Sequence, residues 1–170
     1  MPLILPLKGI SPTIHPSAFL AENATIIGDV TIAEGCSIWY SAVLRGDVGA
    51  IRIGRNSNVQ DLVMIHCTYE YSNSMVGEEV TIGHSAVIHG CEIQDRVLIG
   101  MGAIILDKAV IESQVIVAAG SVVLEKMVLE SGFLYAGSPA RKIKPLTEKQ
   151  IANFKGTADH YLMYSGWYRK

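Results

Sequence analysis

The sequence contains few aromatic residues and few cysteines, and it has no long apolar run. Phe, Trp and Tyr make up 7% of the 170 residues, although 49% of them are hydrophobic, so aliphatic side chains must fill most of the interior. No apolar stretch reaches the roughly 20 residues that a membrane-spanning helix needs, and we expect no membrane segment. The three cysteines, an odd number without close pairing, predict buried thiols in a reducing compartment rather than disulfides.

The sequence also has no excess of charge of either sign. Lys and Arg number 14 and Asp and Glu 16, which gives a net charge of −2. This balance argues against a nucleic-acid partner and against a polybasic surface for anionic lipid. The first ten residues are apolar but are broken by Pro2 and Pro6 and lack the basic region and cleavage site of a secretory signal. We therefore expect a cytoplasmic protein.

A period of six residues dominates most of the chain. Apolar side chains recur at this interval from Ile14 to Leu44 and again from Ile93 to Val123, and small side chains follow most of them four residues later. Neither an α-helix nor a half-buried β-strand has a period of six. A hexapeptide period is typical of a parallel β-helix, in which the chain winds around a prism of short strands. With six residues on each of three faces, residues 11–125 would form about six coils.

The repeat is predicted to end near Val123, and the remaining chain has a different pattern. Gly and Pro punctuate the next stretch, and Thr147 with Gln150 then forms the pattern of a capping box that starts a helix. We expect this helix to pack along the prism and to break near Gly156.

These patterns together predict one all-β solenoid domain with a C-terminal α-helix. The predicted bounds are residues 1–125 for the β-helix, 126–146 for a connector and 147–170 for the helix. A chain of this length is enough for a single core.

The repeat is interrupted three times, within residues 44–53, 65–76 and 82–93, where nine, eleven and eleven residues replace six. The second interruption contains the polar stretch HCTYEYSNSM, which predicts a loop that projects from the prism. Where a regular pattern breaks locally, a functional site is a reasonable first hypothesis.

Three of the five histidines, His66, His84 and His89, lie in the interrupted segments. Three neutral imidazoles are the ligand set of a catalytic zinc site with one open position. His66 and His84 are separated by the length of one predicted coil and could lie near the same edge. His84 and His89 are five apart, and this odd offset places them on opposite sides of an extended strand. All three can bind one metal if the chain turns a corner between His84 and His89, or if the site lies between two subunits. The spacing favours a site between two subunits.

Several motifs closely resemble those of the γ-class carbonic anhydrases. They are LRGD at 44–47, NVQD at 58–61, His66 and GHSAVIHGC at 83–91, with GMGA at 100–103 and SGFLYAGSPARKIKPL in support. The resemblance covers nearly the whole chain and implies a homotrimer of left-handed β-helices with a metal between each pair of subunits. His66 and His89 would come from one chain and His84 from its neighbour. The metal implied is zinc, and iron or cobalt would also suit imidazole ligands.

The resemblance also implies an activity, the hydration of CO2 to bicarbonate by a metal-bound hydroxide. Gln60 would orient that hydroxide, and Tyr161 or Tyr164 of the terminal helix would overhang the site. Arg45, Asp47 and Asp61 match positions that form charge pairs between subunits in the family. An Arg–Asp pair of this kind can also be purely structural, since it fixes the register of an oligomer.

The sequence departs from the family pattern where protons leave the site. The family has a glutamate directly after the aspartate of the RGD-type motif, and this chain has Val48. The loop after the first histidine holds one acid, Glu70. Regeneration of hydroxide needs a proton acceptor between the site and solvent, so we expect weak activity that depends on buffer.

Two other functions remain open at this stage. The hexapeptide repeat and the basic residues Arg141, Lys142 and Lys144 would also suit an acyl-CoA thioesterase or acyltransferase, in which the basic side chains could meet phosphates. A transferase alone leaves the three histidines unexplained, whereas a metal-dependent thioesterase would use them. The other alternative is a non-catalytic trimer that retains the metal for stability.

Overall fold

The computed structural model describes residues 1–168 and has the predicted architecture of an all-β solenoid followed by an α-helix. The chain forms a parallel β-helix of about seven turns. The strands in chain order are β1 Leu3–Leu5, β2 Thr13–Ile14, β3 Phe19–Leu20, β4 Thr25–Ile32, β5 Ser37–Ile38, β6 Val43–Ile53, β7 Asn58–Val59, β8 Met64–His66, β9 Ser74–Val76, β10 Thr81–Ile82, β11 Val87–His89, β12 Glu92–Ile93, β13 Leu98–Ile99, β14 Ile104–Ile105, β15 Val110–Ile111, β16 Ile116–Val117, β17 Val122–Val123, β18 Val128–Leu129, β19 Phe133–Ala136 and β20 Arg141–Pro145, and the helix is α1 Glu148–Gly166.

The strands stack into three faces. The first face contains β6, β8, β11, β14 and β17, and the second contains β6, β9, β12, β15 and β18. The third runs from β3 through β5, β7, β10, β13 and β16 to β19. Strand β6 is long enough to turn the corner, so that its two ends belong to the first and second faces.

The six-residue period reflects the inward side chains. On the first face Leu44, Ile65, Ile88, Ile105 and Val123 lie in register on successive coils, and all five are fully buried. Their neighbours along each strand point outward, because side chains alternate along a strand. Every coil thus contributes an aliphatic side chain to one continuous core.

The β-helix continues beyond the predicted end at residue 125. Strands β18 and β19 lie within the predicted connector and pair in parallel with β15 and β16, which makes about seven turns instead of six. Leu129 and Tyr135 keep the six-residue spacing and are buried. Strand β20 then pairs antiparallel with β19 and leads to the helix.

The helix begins as predicted and ends without a break. Thr147 is the N-cap, and a complete capping box joins it to Gln150. The helix is continuous through Gly156, so the expected break there is wrong. Phe154 and Ala158 are buried against the β-helix. The last two residues of the predicted 147–170 helix lie outside the described residues, and α1 does not have the length and hydropathy needed to cross a membrane.

Candidate metal centre

His66 and His89 lie one above the other on the outside of the first face. Each is the last residue of its strand, β8 or β11, and the two residues are paired in register. Because Ile65 and Ile88 point into the core, the imidazoles point outward. His66 Nδ1 lies 3.3 Å from His89 Nε2, and the side chains are 18% and 28% exposed.

A carboxylate supports each of these two imidazoles on its other ring nitrogen. Asp47 Oδ1 lies 2.9 Å from His66 Nε2, and Asp107 Oδ2 lies 2.9 Å from His89 Nδ1. Histidines that bind metals usually have a carboxylate or carbonyl partner of this kind, which fixes the ring orientation and increases the basicity of the ligand. The donor set of this pair therefore fits a metal that prefers imidazole nitrogen.

Both carboxylates are held in the ionised form. Burial raises the pKa of Asp47, but hydrogen bonds from His66 and Arg45 outweigh it and bring the pKa below its ordinary value. Burial likewise raises the pKa of Asp107, and hydrogen bonds from Ser72 and His89 reverse that effect. Arg45 contacts Asp47 within the same chain, so this charge pair does not need a second subunit.

His84 lies in a different place, just after strand β10 of the third face. Its Nδ1 is 2.9 Å from Asp61 Oδ2, and its side chain is 44% exposed. Within residues 1–168, no three His, Cys, Asp or Glu side chains come together as one metal site. Thus one chain presents two of the three predicted ligands together and the third separately.

The extra length of one coil explains why His66 pairs with His89 rather than lying beside His84. Ile65 and Ile88 stack directly although more than one regular coil of sequence separates them, because the loop over residues 68–73 adds length to that coil. The expectation that a separation of one regular coil places His66 and His84 near one edge therefore does not hold.

Gln60 is buried beside His84 with its amide fixed at both ends. Its Nε2 donates to Asn58 Oδ1 at 3.1 Å, and its Oε1 accepts from the backbone N–H of His84 at 3.2 Å. Asn58 in turn donates to Thr81 Oγ1 at 2.9 Å. This chain of hydrogen bonds sets the position of Gln60 relative to His84.

Tyr161 of α1 lies over the same region. Tyr161 lines one cleft together with Gln60 and His84. It also lines an adjoining cleft, mostly aromatic, whose other residues include Trp39, Asp61, His84 and Tyr164. Burial raises the pKa of Tyr161, and the charge of Asp61 raises it further. The phenol is therefore protonated at neutral pH and can act as a hydrogen-bond donor.

Four further residues, Val48, Cys67, Glu70 and Cys91, lie close in sequence to the imidazoles or their carboxylates. Val48 is partly buried and packs against the core, and Glu70 is exposed in the loop. Cys67 and Cys91 are buried and free, as core residues would be. Asp107 is not among the site residues predicted from the sequence. Its position could have indicated it, because Asp107 follows His89 by the length of one regular coil and therefore stacks beside it.

Comparison with known proteins identifies close relatives over almost the full chain. The sequence is 49% identical over 152 residues to the probable carbonic anhydrase of Methanocaldococcus jannaschii, which covers 89% of this chain and 95% of that protein. It is 42% identical over 156 residues to the mitochondrial γ carbonic anhydrase 1 of Arabidopsis thaliana, covering 89% of this chain. The chain spans only 57% of the length of that plant relative.

The structure also has a close counterpart among solved structures. A hexapeptide transferase family protein from Anaplasma phagocytophilum matches with a TM-score of 0.95 at 40% identity, over 98% of each chain. No family model matches the sequence. The structural match confirms the left-handed β-helix of hexapeptide repeats as the fold. By its sequence relatives, the chain belongs to the γ-carbonic anhydrase-like family of hexapeptide-repeat proteins.

Proposed function

We propose that this protein is a metal-dependent lyase that hydrates CO2 to bicarbonate at sites between the subunits of a homotrimer. The observation that carries the proposal is the stacked pair of His66 and His89, each supported by a carboxylate on the outer surface of the chain. Relatives of 42% and 49% identity that bear the name carbonic anhydrase support it.

The surface around the pair supports assembly with other copies of the chain. A ladder of apolar, half-buried side chains runs up the outside of the first face in the column next to the histidines: Val43, Met64, Val87, Ile104 and Val122. A continuous apolar surface of this kind is typical of an interface. In a closed ring, the surface carrying His84 on one subunit would meet the His66–His89 surface of the next.

The metal we propose is zinc, bound by His66 and His89 of one subunit and by His84 of its neighbour. Three neutral imidazoles and an open position are typical of catalytic zinc, and iron and cobalt accept the same ligands. When bound, such a metal lowers the pKa of a water molecule to near 7, so that hydroxide is available at neutral pH.

The protein's own side chains would orient the reacting groups. Asp47, Asp107 and Asp61 each hold one histidine by one ring nitrogen and leave the other nitrogen for the metal. Gln60, fixed by Asn58, would orient the attacking oxygen through its amide. Tyr161 would close the site from above, as a neutral hydrogen-bond donor.

The second candidate function is hydrolysis or transfer of an acyl group from an acyl-CoA thioester. The name of the solved relative, a hexapeptide transferase family protein, favours this candidate. So does strand β20, which exposes Arg141, Lys142 and Lys144, although Lys142 already pairs with Glu130 at 2.6 Å.

The experiment that tests the proposal is stopped-flow CO2 hydration with protein purified without oxygen and loaded with Zn²⁺ or Fe²⁺. We expect hydration that follows metal content, about one metal per subunit, and that His66→Ala abolishes. A fully loaded protein that does not hydrate CO2 would contradict the proposal, and acyl-CoA hydrolysis would then be measured on the same sample.

A further inference from the structure

Asp107 connects His89 to a loop that is distant in sequence. Its Oδ2 lies 2.9 Å from His89 Nδ1, while its Oδ1 accepts a hydrogen bond from Ser72 Oγ. The Asp107 side chain is only 18% exposed. Because both carboxylate oxygens are bonded, the carboxylate cannot rotate without losing one of its partners.

Ser72 belongs to the loop over residues 68–73 that follows His66, and the loop fixes its position. The backbone N–H of Thr68 donates to Ser72 Oγ at 3.0 Å, and the backbone N–H groups of Tyr71 and Ser72 both donate to the Thr68 carbonyl at 3.1 Å. The Ser72 hydroxyl therefore accepts from Thr68 and has its proton free for Asp107.

The tip of the loop is attached to the coils beyond Asp107. Tyr71 Oη donates to Glu125, and the Tyr71 ring lies under Lys108, with Nζ 3.6 Å from the ring centroid. The loop thus spans the corner where Asp107 lies. These contacts hold the loop at a second point that does not involve Asp107.

Gly90 leaves the space in which Ser72 meets Asp107. A Cβ atom at this position would overlap both Asp107 Oδ1 and Ser72 Oγ. Gly90 also has φ of 58°, which other residues adopt less readily. Any side chain directly after His89 would therefore force the Ser72–Asp107 hydrogen bond apart.

We propose that Ser72 and Asp107 form a positioning relay that fixes the ring of His89 for metal binding, so that the loop after the first histidine controls the second. This inference rests on the metal site of the proposed function. Asp107 and Ser72 are positioning residues, since they act on the metal only through His89. The relay explains why a polar loop inserted into the prism is closed on itself by the hydrogen bonds between Thr68 and Ser72.

The test measures Co²⁺ binding by competition with a chelator, together with the visible absorption spectrum of the cobalt protein. Asp107→Asn should weaken Co²⁺ binding by about 10-fold to 100-fold, which is the usual effect of removing the carboxylate that hydrogen-bonds to the other ring nitrogen of a histidine ligand. Ser72→Ala should weaken it less, and both variants should change the spectrum because the geometry of His89 changes. Tyr71→Phe is the matched control, which loosens the loop tip without touching Asp107, and it should leave affinity and spectrum unchanged.

Wild-type affinity and an unchanged spectrum in Asp107→Asn would overturn the inference. So would equal losses in Tyr71→Phe and Ser72→Ala, since these would indicate a general effect of the loop. If Asp107→Asn does not fold, judged by circular dichroism, Ser72→Ala and Gly90→Ala replace it. If the wild type binds Co²⁺ and the Asp107→Asn and Ser72→Ala variants lose affinity as expected, but the wild type does not hydrate CO2, the proposed function is refuted and the relay is supported. Absence of Co²⁺ binding by the wild type would overturn both.

Discussion

The coils over residues 93–129 and those over residues 43–91 share one core but differ at their corners. In the regular region, residues 93–129, the six-residue period is unbroken, and short strands alternate with tight turns. In the interrupted region, residues 43–91, the coils carry a long strand, a projecting loop and a slip of register, together with all three predicted metal ligands. Both regions stack fully buried aliphatic side chains in the same way.

The comparison shows how a site can be added without disturbing the core. On the first face, the steps from Leu44 to Ile65 and from Ile65 to Ile88 are longer in sequence than the later steps through Ile105 to Val123. The stacking is the same at each step, so the added residues lie entirely in the corners. The polar side chains of the site collect at these corners, where they do not interrupt the aliphatic stacking.

The largest expected effect separates a site between subunits from a site within one chain. His66→Ala and His84→Ala should each abolish metal binding in the homotrimer, because each variant removes one ligand from every site. When the two variants are mixed by co-refolding, each mixed trimer should regain one intact site, because one subunit interface joins an unaltered His66 to an unaltered His84. Random mixing at equal amounts would then restore about a quarter of the wild-type metal content.

The control for this experiment mixes His66→Ala with His89→Ala. Both variants damage the same surface of a subunit, so no interface in a mixed trimer contains all three ligands and no metal should return. Metal recovery in this control, or its absence in the His66→Ala and His84→Ala mixture, would exclude the proposed arrangement.

The sequence predicts the regular region well and the interrupted region only in part. The core positions are predictable because every coil selects an aliphatic residue at the same six-residue interval. The predicted end at 125 is too early, although Leu129 and Tyr135 keep the interval, because the Gly and Pro residues beside them resemble a connector. The pairing of His66 with His89 could not be predicted from a coil of regular length, since the sequence predicts a projecting loop but not the number of residues by which it lengthens the coil.

Truncation of the core should distinguish the two regions by its effect on metal binding. Ile111→Ala in the regular coils and Ile88→Ala beside His89 each leave a cavity at a fully buried position. Each should lower the free energy of unfolding by about 2–5 kcal/mol. Only Ile88→Ala should also weaken metal binding, because Ile88 fixes the backbone of the next residue. Denaturant unfolding and Co²⁺ titration measure the two effects, and equal affinities in both variants would show that the site is insensitive to the core beneath it.

Val48→Glu tests whether the interrupted region lacks a proton acceptor. Val48 is partly buried next to Asp47, and a carboxylate there could accept a proton from the site. We expect CO2 hydration in weak buffer to rise several-fold, below the roughly 100-fold that a well-placed general base supplies. Val48→Gln introduces a side chain of the same shape as glutamate that accepts no proton at neutral pH, and it should remain at the wild-type rate. Equal rates for both variants in weak buffer, with the metal in place, would show that proton transfer does not limit turnover.

The smallest expected effect is on the three cysteines, all of which lie in the common core. Burial raises the pKa of Cys36 to about 11, and Cys67 and Cys91 are also buried. Thiolate is the reactive form, so native protein at pH 8 should react with a disulfide reagent only as fast as it unfolds, while denatured protein should show three thiols. Cys36 is the internal control for Cys67, which directly follows His66. If metal loading slowed the labelling of Cys67 but not of Cys36, the Cys67 thiol would be coupled to the site. Identical slow labelling of both, with or without metal, would confine the site's chemistry to the imidazoles and carboxylates on the outer corners.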